Sequence, residues 1–322
     1  MSPPNPGQPL GIFPYGPAGL QAAVTAIRAG GIVAVPTETV YGLAADARDG
    51  AAVARIYAAK GRPSFNPLIV HVPDLGAAER LAVFDDAARS LAAAFWPGPL
   101  TLVLPVRADA GIAGLVTAGL DTIAIRVPAH PAMHALLRDS DAPLAAPSAN
   151  ASGGISPTRA AHVAASLGAA VDLILDAGAT SAGIESTIVA GTRILRPGPV
   201  TAEQLASFGI YPGADDDAIT APGQLASHYA PRAPVRLNAT SAEPDEWLIG
   251  FGEVAGDDSL SATGDLNEAA TRLFDALHRA DASGRAKIAV APVPACGLGV
   301  AINDRLARAA HPDRSLQARN EV

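Results

Sequence analysis

Ile32-Val33-Ala34-Val35-Pro36-Thr37-Glu38-Thr39-Val40-Tyr41-Gly42-Leu43 begins with a short apolar run set between Gly31 and Pro36. Such a run, bounded by breakers, predicts a buried strand. The strand then delivers two hydroxyls, a carboxylate and a phenol into one turn. Ligand groups collect where a rigid strand hands over to a loop. A turn held by its own threonine side chains reads equally well from these residues.

Working outward, Leu20, Val24 and Ile27 have helical spacing, closed by Gly30-Gly31. Downstream, Asp49 is placed to cap a helix through Val53, Ile56 and Tyr57 that ends at Gly61, with Pro63 beyond. Strands are expected at 67–72, 100–106, 122–127, 144–146, 171–175, 185–190 and 192–196, with helices near 74–82, 85–95, 130–138 and 158–167. Without strict βαβ alternation this predicts an α+β fold, an open mixed sheet with helices packed on it. Residues 1–16, rich in Pro and Gly, read as an irregular arm and 17–209 as the main domain. Residues 210–234 read as a linker, because so long a stretch without elements is unusual inside a domain. Residues 235–322 are expected to form a small α/β domain, with strands at 235–237, 247–251 and 288–290 and helices near 265–280 and 299–310.

The 322 residues are 49% hydrophobic and 17% charged, enough to bury a sizeable core. A net charge of −8 argues against a broad phosphate-neutralising face, so no stable nucleic-acid binding is expected. A single cysteine, Cys296, excludes an intrachain disulfide and a cysteine-based zinc site. No segment reads as a membrane span and no cation precedes Arg28, so the expected location is cytoplasmic.

Four polar constellations interrupt the apolar pattern. Beyond the opening turn, Lys60-Gly61-Arg62-Pro63-Ser64-Phe65-Asn66 sets two cations two residues apart on a stiffened turn. They either converge on a polyphosphate or finish a helix by satisfying its last carbonyls. His71, within the apolar run 68–72, reads by itself as a hydrogen-bonded core histidine. Pro147-Ser148-Ala149-Asn150-Ala151-Ser152-Gly153-Gly154-Ile155-Ser156 is a small-residue loop that suits an anion, or a plain surface loop; it is no Walker A loop. Glu185-Ser186-Thr187 begins a buried strand, and Arg196 ends its neighbour. Arg126 sits inside an apolar strand and needs either a protein carboxylate or an anionic ligand. Together these describe a site rich in hydroxyls and cations, suited to a nucleotide and a small zwitterion. No Gly-x-Ser-x-Gly elbow supports a hydrolase.

Val35–Leu43, Lys60-Gly-Arg-Pro63, Phe95-Trp-Pro-Gly-Pro-Leu-Thr101, Ala146-Pro-Ser-Ala-Asn150 and Glu185-Ser-Thr187 resemble, in order, the motifs of the threonylcarbamoyl-AMP synthase family with its YrdC-like domain. His228-Tyr-Ala-Pro231 and Gly297–Arg305 resemble the linker and C-terminal domain of its longer form. The resemblance implies an open twisted sheet plus a smaller Rossmann-like domain. It implies the substrates L-threonine, bicarbonate or CO2, and ATP with Mg2+, and a nucleotidyltransferase supplying the downstream tRNA threonylcarbamoyl-transfer machinery. By position in the motifs, Thr39, His71, Arg126 and Ser186 would hold threonine, with backbone contacts from Ala146. Lys60 and Arg62, as catalytic cations, would surround the ATP phosphates with Asn66, Ser148, Asn150 and Ser156. Thr122, Arg196 and Tyr229 would frame the rest of the nucleotide, Tyr229 on a linker acting as a lid. The alternatives are a carbamoyl transferase of related fold and an RNA-binding or regulatory module.

Overall fold

The computed structural model describes residues 11–213 and 227–311. Contacts divide them into two compact units: 11–152 with 156–213, and 153–155 with 227–311.

In chain order the first unit contains β1 (Gly11–Pro14), α1 (Pro17–Arg28), β2 (Val33–Pro36), β3 (Tyr41–Asp46), α2 (Gly50–Lys60), β4 (Ile69–His71), α3 (Leu75–Glu79) and α4 (Asp86–Phe95). It continues with β5 (Leu100–Pro105), α5 (Gly114–Thr117), β6 (Thr122–Arg126), α6 (Pro131–Ser140), β7 (Leu144–Ala145) and α7 (Ala160–Leu167). β8 (Leu173–Asp176), β9 (Thr187–Ala190), β10 (Arg193–Arg196), α8 (Ala202–Ala206) and β11 (Tyr211–Pro212) complete it. The strands form one mixed sheet in the order β1-β8-β2-β3-β7-β4-β6-β5-β9-β10-β11.

Local chemistry explains the boundaries. The Asp49 side chain accepts from Ala51 N at 2.9 Å and Ala52 N at 3.1 Å, satisfying two orphan donors of α2. Gly61 ends that helix at φ 58°, a conformation that favours glycine. β3 was not expected as a strand; it pairs antiparallel with β2 from Val33↔Ala44 to Pro36↔Tyr41, so the opening stretch is a hairpin. The expected irregular arm is corrected where it is described, since Gly11–Pro14 pairs in parallel with β8. Its proline is tolerated there because β1 is an edge strand. Short α5, α8 and β11 were also unforeseen, although Thr201 and Gln204 form a capping box at α8. Most of the expected linker, 214–226, lies outside the described residues.

The period of two along each strand sorts the core onto two faces. Ala34, Leu43, Ala45, Val70, Leu102, Ile123 and Ile125 share one cluster with Val53 and Ile56 of α2. Val33, Val35, Ala44, Leu144 and Leu175 face the other way, against Ala23, Val24 and Ile27 of α1 and Met133, Leu136 and Leu137 of α6. His71 pairs with Leu144, which puts it on this second face. Past α1 and α6, the same face carries a small apolar cluster of Ile69, Val103, Ala124 and Ile188, with Ala190 and Leu195 packed against it.

The second unit contains β12 (Val235–Arg236), β13 (Glu246–Gly250), β14 (Asp258–Ser259), α9 (Leu266–Ala282), β15 (Lys287–Val290) and α10 (Leu298–Ala309). Its four strands are all parallel, in the order β12-β15-β13-β14. That is the expected α/β character.

Candidate functional site

The hairpin turn arranges its own hydroxyls. Thr37 Oγ1 donates to Val40 O at 2.7 Å and accepts from the backbone N–H of Thr39 and Val40, each at 3.2 Å. Thr39 Oγ1 lies 2.7 Å from Thr37 Oγ1, and Arg126 Nη1 donates to it at 2.9 Å. With Thr37 committed to Val40 O, the donors run in one direction, from Arg126 through Thr39 and Thr37. Arg126 Nε donates to Gly98 O at 3.1 Å and Nη2 to Glu38 Oε1 at 2.5 Å. Glu38 Oε2 also accepts from Ala129 N at 3.1 Å. Arg126 is only 3% exposed, so its carboxylate partner removes the cost of an uncompensated buried charge. Burial pushes the Glu38 carboxyl up, but Arg126 and two backbone amides outweigh it and hold it below its ordinary 4.5.

His71 is the register partner of Arg126 on the neighbouring strand. Burial, reinforced by Arg126, pulls its pKa down to about 3, so the imidazole is neutral at physiological pH. Its buried Nδ1 has no hydrogen-bond partner among the described residues. At this nitrogen the plain reading of a hydrogen-bonded core histidine is not met. Ala146 bonds to the same strand as His71, its N–H donating to Ile69 O at 3.0 Å.

Ser186 Oγ lies 2.8 Å from Thr101 Oγ1. Arg196 donates to the Ser186 carbonyl through Nε at 3.1 Å and Nη2 at 2.9 Å, and to its hydroxyl at 3.2 Å. Gly198 lets the chain return closely here: a Cβ on it would stand 2.5 Å from Thr187 N.

Three residues of the 147–157 segment, Pro147, Ala149 and Pro157, bond to β3. Leu43 N donates to Pro147 O at 2.7 Å, Ala149 N to Tyr41 O at 2.8 Å and Tyr41 N to Pro157 O at 2.8 Å. Lys60 Nζ donates to Ser148 O and Asn150 O, both at 2.5 Å, and Ser152 N returns a bond to Lys60 O at 2.8 Å. Burial, and then Arg62, depress the Lys60 pKa well below its ordinary value, with Glu185 opposing them. Ser156 Oγ donates to buried Glu185. Arg62 ties its own turn, with Nη2 2.6 Å from Asn66 Oδ1 and Nε 3.1 Å from Asn66 O.

The structure thus joins Thr39 with Arg126, sets His71 beside Arg126 on the neighbouring strand, and joins Lys60 with Ser148 and Asn150, Arg62 with Asn66, and Ser186 with Arg196. Thr122 shares a face with Arg126 but sits four residues up the strand, about 13 Å away. Tyr229 belongs to the second unit, at φ 62°, with its ring 4.1 Å from that of His228 and 5.4 Å from that of Phe274. Sequence reading gave no role to Glu38, Thr37, Thr101 or Glu185. Glu38 and Glu185 are carboxylates inside the polar motifs, and that was the available signal.

Two family models match the chain. The Sua5–YciO–YrdC model, described as Telomere recombination, matches residues 25–198. The threonylcarbamoyl-AMP synthase C-terminal domain matches residues 200–311. A threonylcarbamoyl-AMP synthase of Bacillus subtilis (strain 168) is 40% identical over 318 residues, spanning 89% of this chain and 92% of the relative. One of Pyrococcus abyssi is 40% identical over 319 residues, spanning 90% and 93%. The crystal structure of Pyrococcus abyssi Sua5 complexed with L-threonine aligns with a TM-score of 0.85 at 37% identity, covering 94% of this chain and 97% of that one. The chain belongs to the threonylcarbamoyl-AMP synthase family, in its two-domain form.

Proposed function

We propose that this chain is a nucleotidyltransferase that converts L-threonine, bicarbonate or CO2, and ATP into threonylcarbamoyl-AMP and pyrophosphate, for use in tRNA modification. The observation that carries the reading is the Arg126 pocket. A buried guanidinium, fixed on a sheet face beside a neutral histidine with an unmatched nitrogen, suits the carboxylate end of a small amino acid. Thr39 and Ser186 add hydroxyls at its edge, and Ala146 a backbone contact.

The chemistry needs no enzyme nucleophile. The threonine amine, once deprotonated, adds to CO2 to form a carbamate and releases a proton. A carbamate oxygen attacks the α-phosphorus of ATP, the bond to the β-phosphate oxygen breaks, and pyrophosphate leaves. Catalysis then rests on positioning and on stabilising charge at the phosphates. In this reading Arg62, Asn66, Ser148, Asn150 and Ser156 surround the phosphates, and Thr122 and Arg196 border the nucleoside. Lys60 contributes by holding the 148–150 loop as well as by its charge. Mg2+ comes with ATP as part of the substrate. No group of three His, Cys, Asp or Glu side chains suited to a metal occurs among the described residues. A hydrated Mg2+ carried on substrate phosphates needs no such cage.

Threonine, ATP and tRNA meet in the cytoplasm, which is the location we assign. No helix among the described residues is long and apolar enough to cross a membrane. The test is pyrophosphate release from ATP in the presence of bicarbonate. Release should depend on L-threonine; robust release without it would sink the reading.

A further inference from the structure

L-Threonine carries two charges, and Arg126 answers only one of them. A guanidinium has five N–H donors and a carboxylate about four lone-pair sites. Arg126 directs one bond each to Gly98 O, Thr39 Oγ1 and Glu38 Oε1. The Glu38 carboxylate accepts one bond from Arg126 and one from Ala129 N, and its own backbone N–H also favours its charged form. About two donors and at least one acceptor site therefore stay uncommitted on this one ion pair. The pair is also unequal in access: the Glu38 side chain is 12% exposed and that of Arg126 3%. Glu38 is fixed from behind, since its backbone oxygen accepts from Ala182 N at 2.7 Å. His71, one nearby imidazole, is neutral and offers no countercharge, and burial lowers the pKa of the other, His130, against the pull of Glu38.

We infer that Glu38 is a specificity-determining residue whose spare oxygen lone pairs receive the α-ammonium of the amino acid whose carboxylate docks on Arg126. The assembled pair then reads a zwitterion end for end, anion to cation and cation to anion. This rests on the threonine pocket proposed above and adds the half of the ligand that pocket leaves unmatched. A simple carboxylic acid meets a guanidinium already shared with Glu38 and gains nothing from Glu38 in return. An α-amino acid gains a charge-assisted bond that offsets the shared cation.

The experiment compares L-threonine with (R)-3-hydroxybutanoate, the same acid without its amine, by calorimetric titration of the full chain. The wild-type protein should prefer threonine by about 10- to 100-fold, the worth of one hydrogen bond to a charged group. Glu38→Gln keeps a neutral acceptor for Arg126 but loses the charge. It should weaken threonine by about the same factor and leave the deamino acid unchanged or tighter, so that the ratio falls toward one. A merely structural Glu38 would weaken both ligands together, and an unchanged ratio in the variant overturns the inference. If Glu38→Gln does not fold, Glu38→Asp decides: the shortened carboxylate should keep a preference above about tenfold, and a ratio near one in wild type or Glu38→Asp overturns it. A wild-type chain that binds the deamino acid but discriminates nothing refutes Glu38 alone. One that binds neither ligand refutes the threonine pocket itself and Glu38 with it.

Discussion

Arg126→Met removes a cation from a pocket that keeps its anion. The guanidinium gives up bonds to Gly98 O, Thr39 Oγ1 and Glu38 Oε1, and Glu38 stays largely buried without its partner. Breaking a buried pair from one side costs about 3–5 kcal/mol, and the residual exposure of Glu38 favours the lower end, about 3 kcal/mol at pH 7. That cost carries a pH signature. In the wild type the folded Glu38 pKa lies below the ordinary 4.5, so its contribution is fully present above 4.5 and is lost as the pH falls through the folded value. Without Arg126, burial is the surviving large influence and raises the folded pKa above the unfolded one. The variant is then relieved by protonation, and its stability falls as the pH rises through that raised value. The deficit between the two proteins should therefore be largest at neutral pH and shrink toward pH 5. The chain has two tryptophans, Trp96 in the first unit and Trp247 in the second. A Trp247→Phe background thus lets fluorescence report the first unit alone during denaturant unfolding. Adding Glu38→Gln to Arg126→Met should recover part of the loss, and the cycle gives the coupling directly. A deficit below about 1 kcal/mol at pH 7, or one that does not change on acidification, refutes a buried pair of this kind.

Lys60→Met deprives Ser148 O and Asn150 O of their shared donor, at about 1–3 kcal/mol per stranded carbonyl, partly offset by no longer burying an ammonium. The expected result is a raised KM for ATP and faster proteolytic nicking near 148–152; lost stability with an unchanged KM would make Lys60 a helix-end prop. His71 has a folded pKa of about 3 against an ordinary 6.5, so its contribution to stability is present above 6.5 and is lost as the pH falls toward 3. Its imidazole NMR signals should stay flat between pH 5 and 8, and a midpoint inside that window contradicts the neutral assignment. Gly198→Ala puts a Cβ 2.5 Å from Thr187 N and 2.7 Å from Glu185 O, backbone atoms that cannot step aside. It should cost about 1–3 kcal/mol and weaken threonine use by shifting Ser186; a wild-type melt with wild-type KM would show the 185–187 segment to be pliant.

Strands and helices that announce themselves by local chemistry were legible. α2 carries its cap and its stop within the sequence, and β2 is an apolar run between breakers. β3 was not legible, because Tyr41-Gly-Leu-Ala-Ala-Asp has almost every residue buried and so shows no alternation. Its register comes from β2, a partner that the segment itself does not encode. β1 pairs with a strand some 160 residues away along the chain, which no local window contains.

The site divides along the same line, and Arg126, Lys60 and His71 show why. Each is a polar group in an apolar setting, so sequence alone establishes that a partner is required. It does not establish what kind. Arg126 found a carboxylate 88 residues upstream. Lys60 found two carbonyls, which every residue carries and no composition flags. His71 Nδ1 found nothing in the described protein. What separates a structural polar residue from a ligand-binding one is thus the balance of donors and acceptors left after the fold has taken its share. By that measure Lys60 is committed to a loop, His71 keeps one nitrogen unmatched, and Arg126 with Glu38 commits enough bonds to hold the pair still while keeping further bonding capacity in hand.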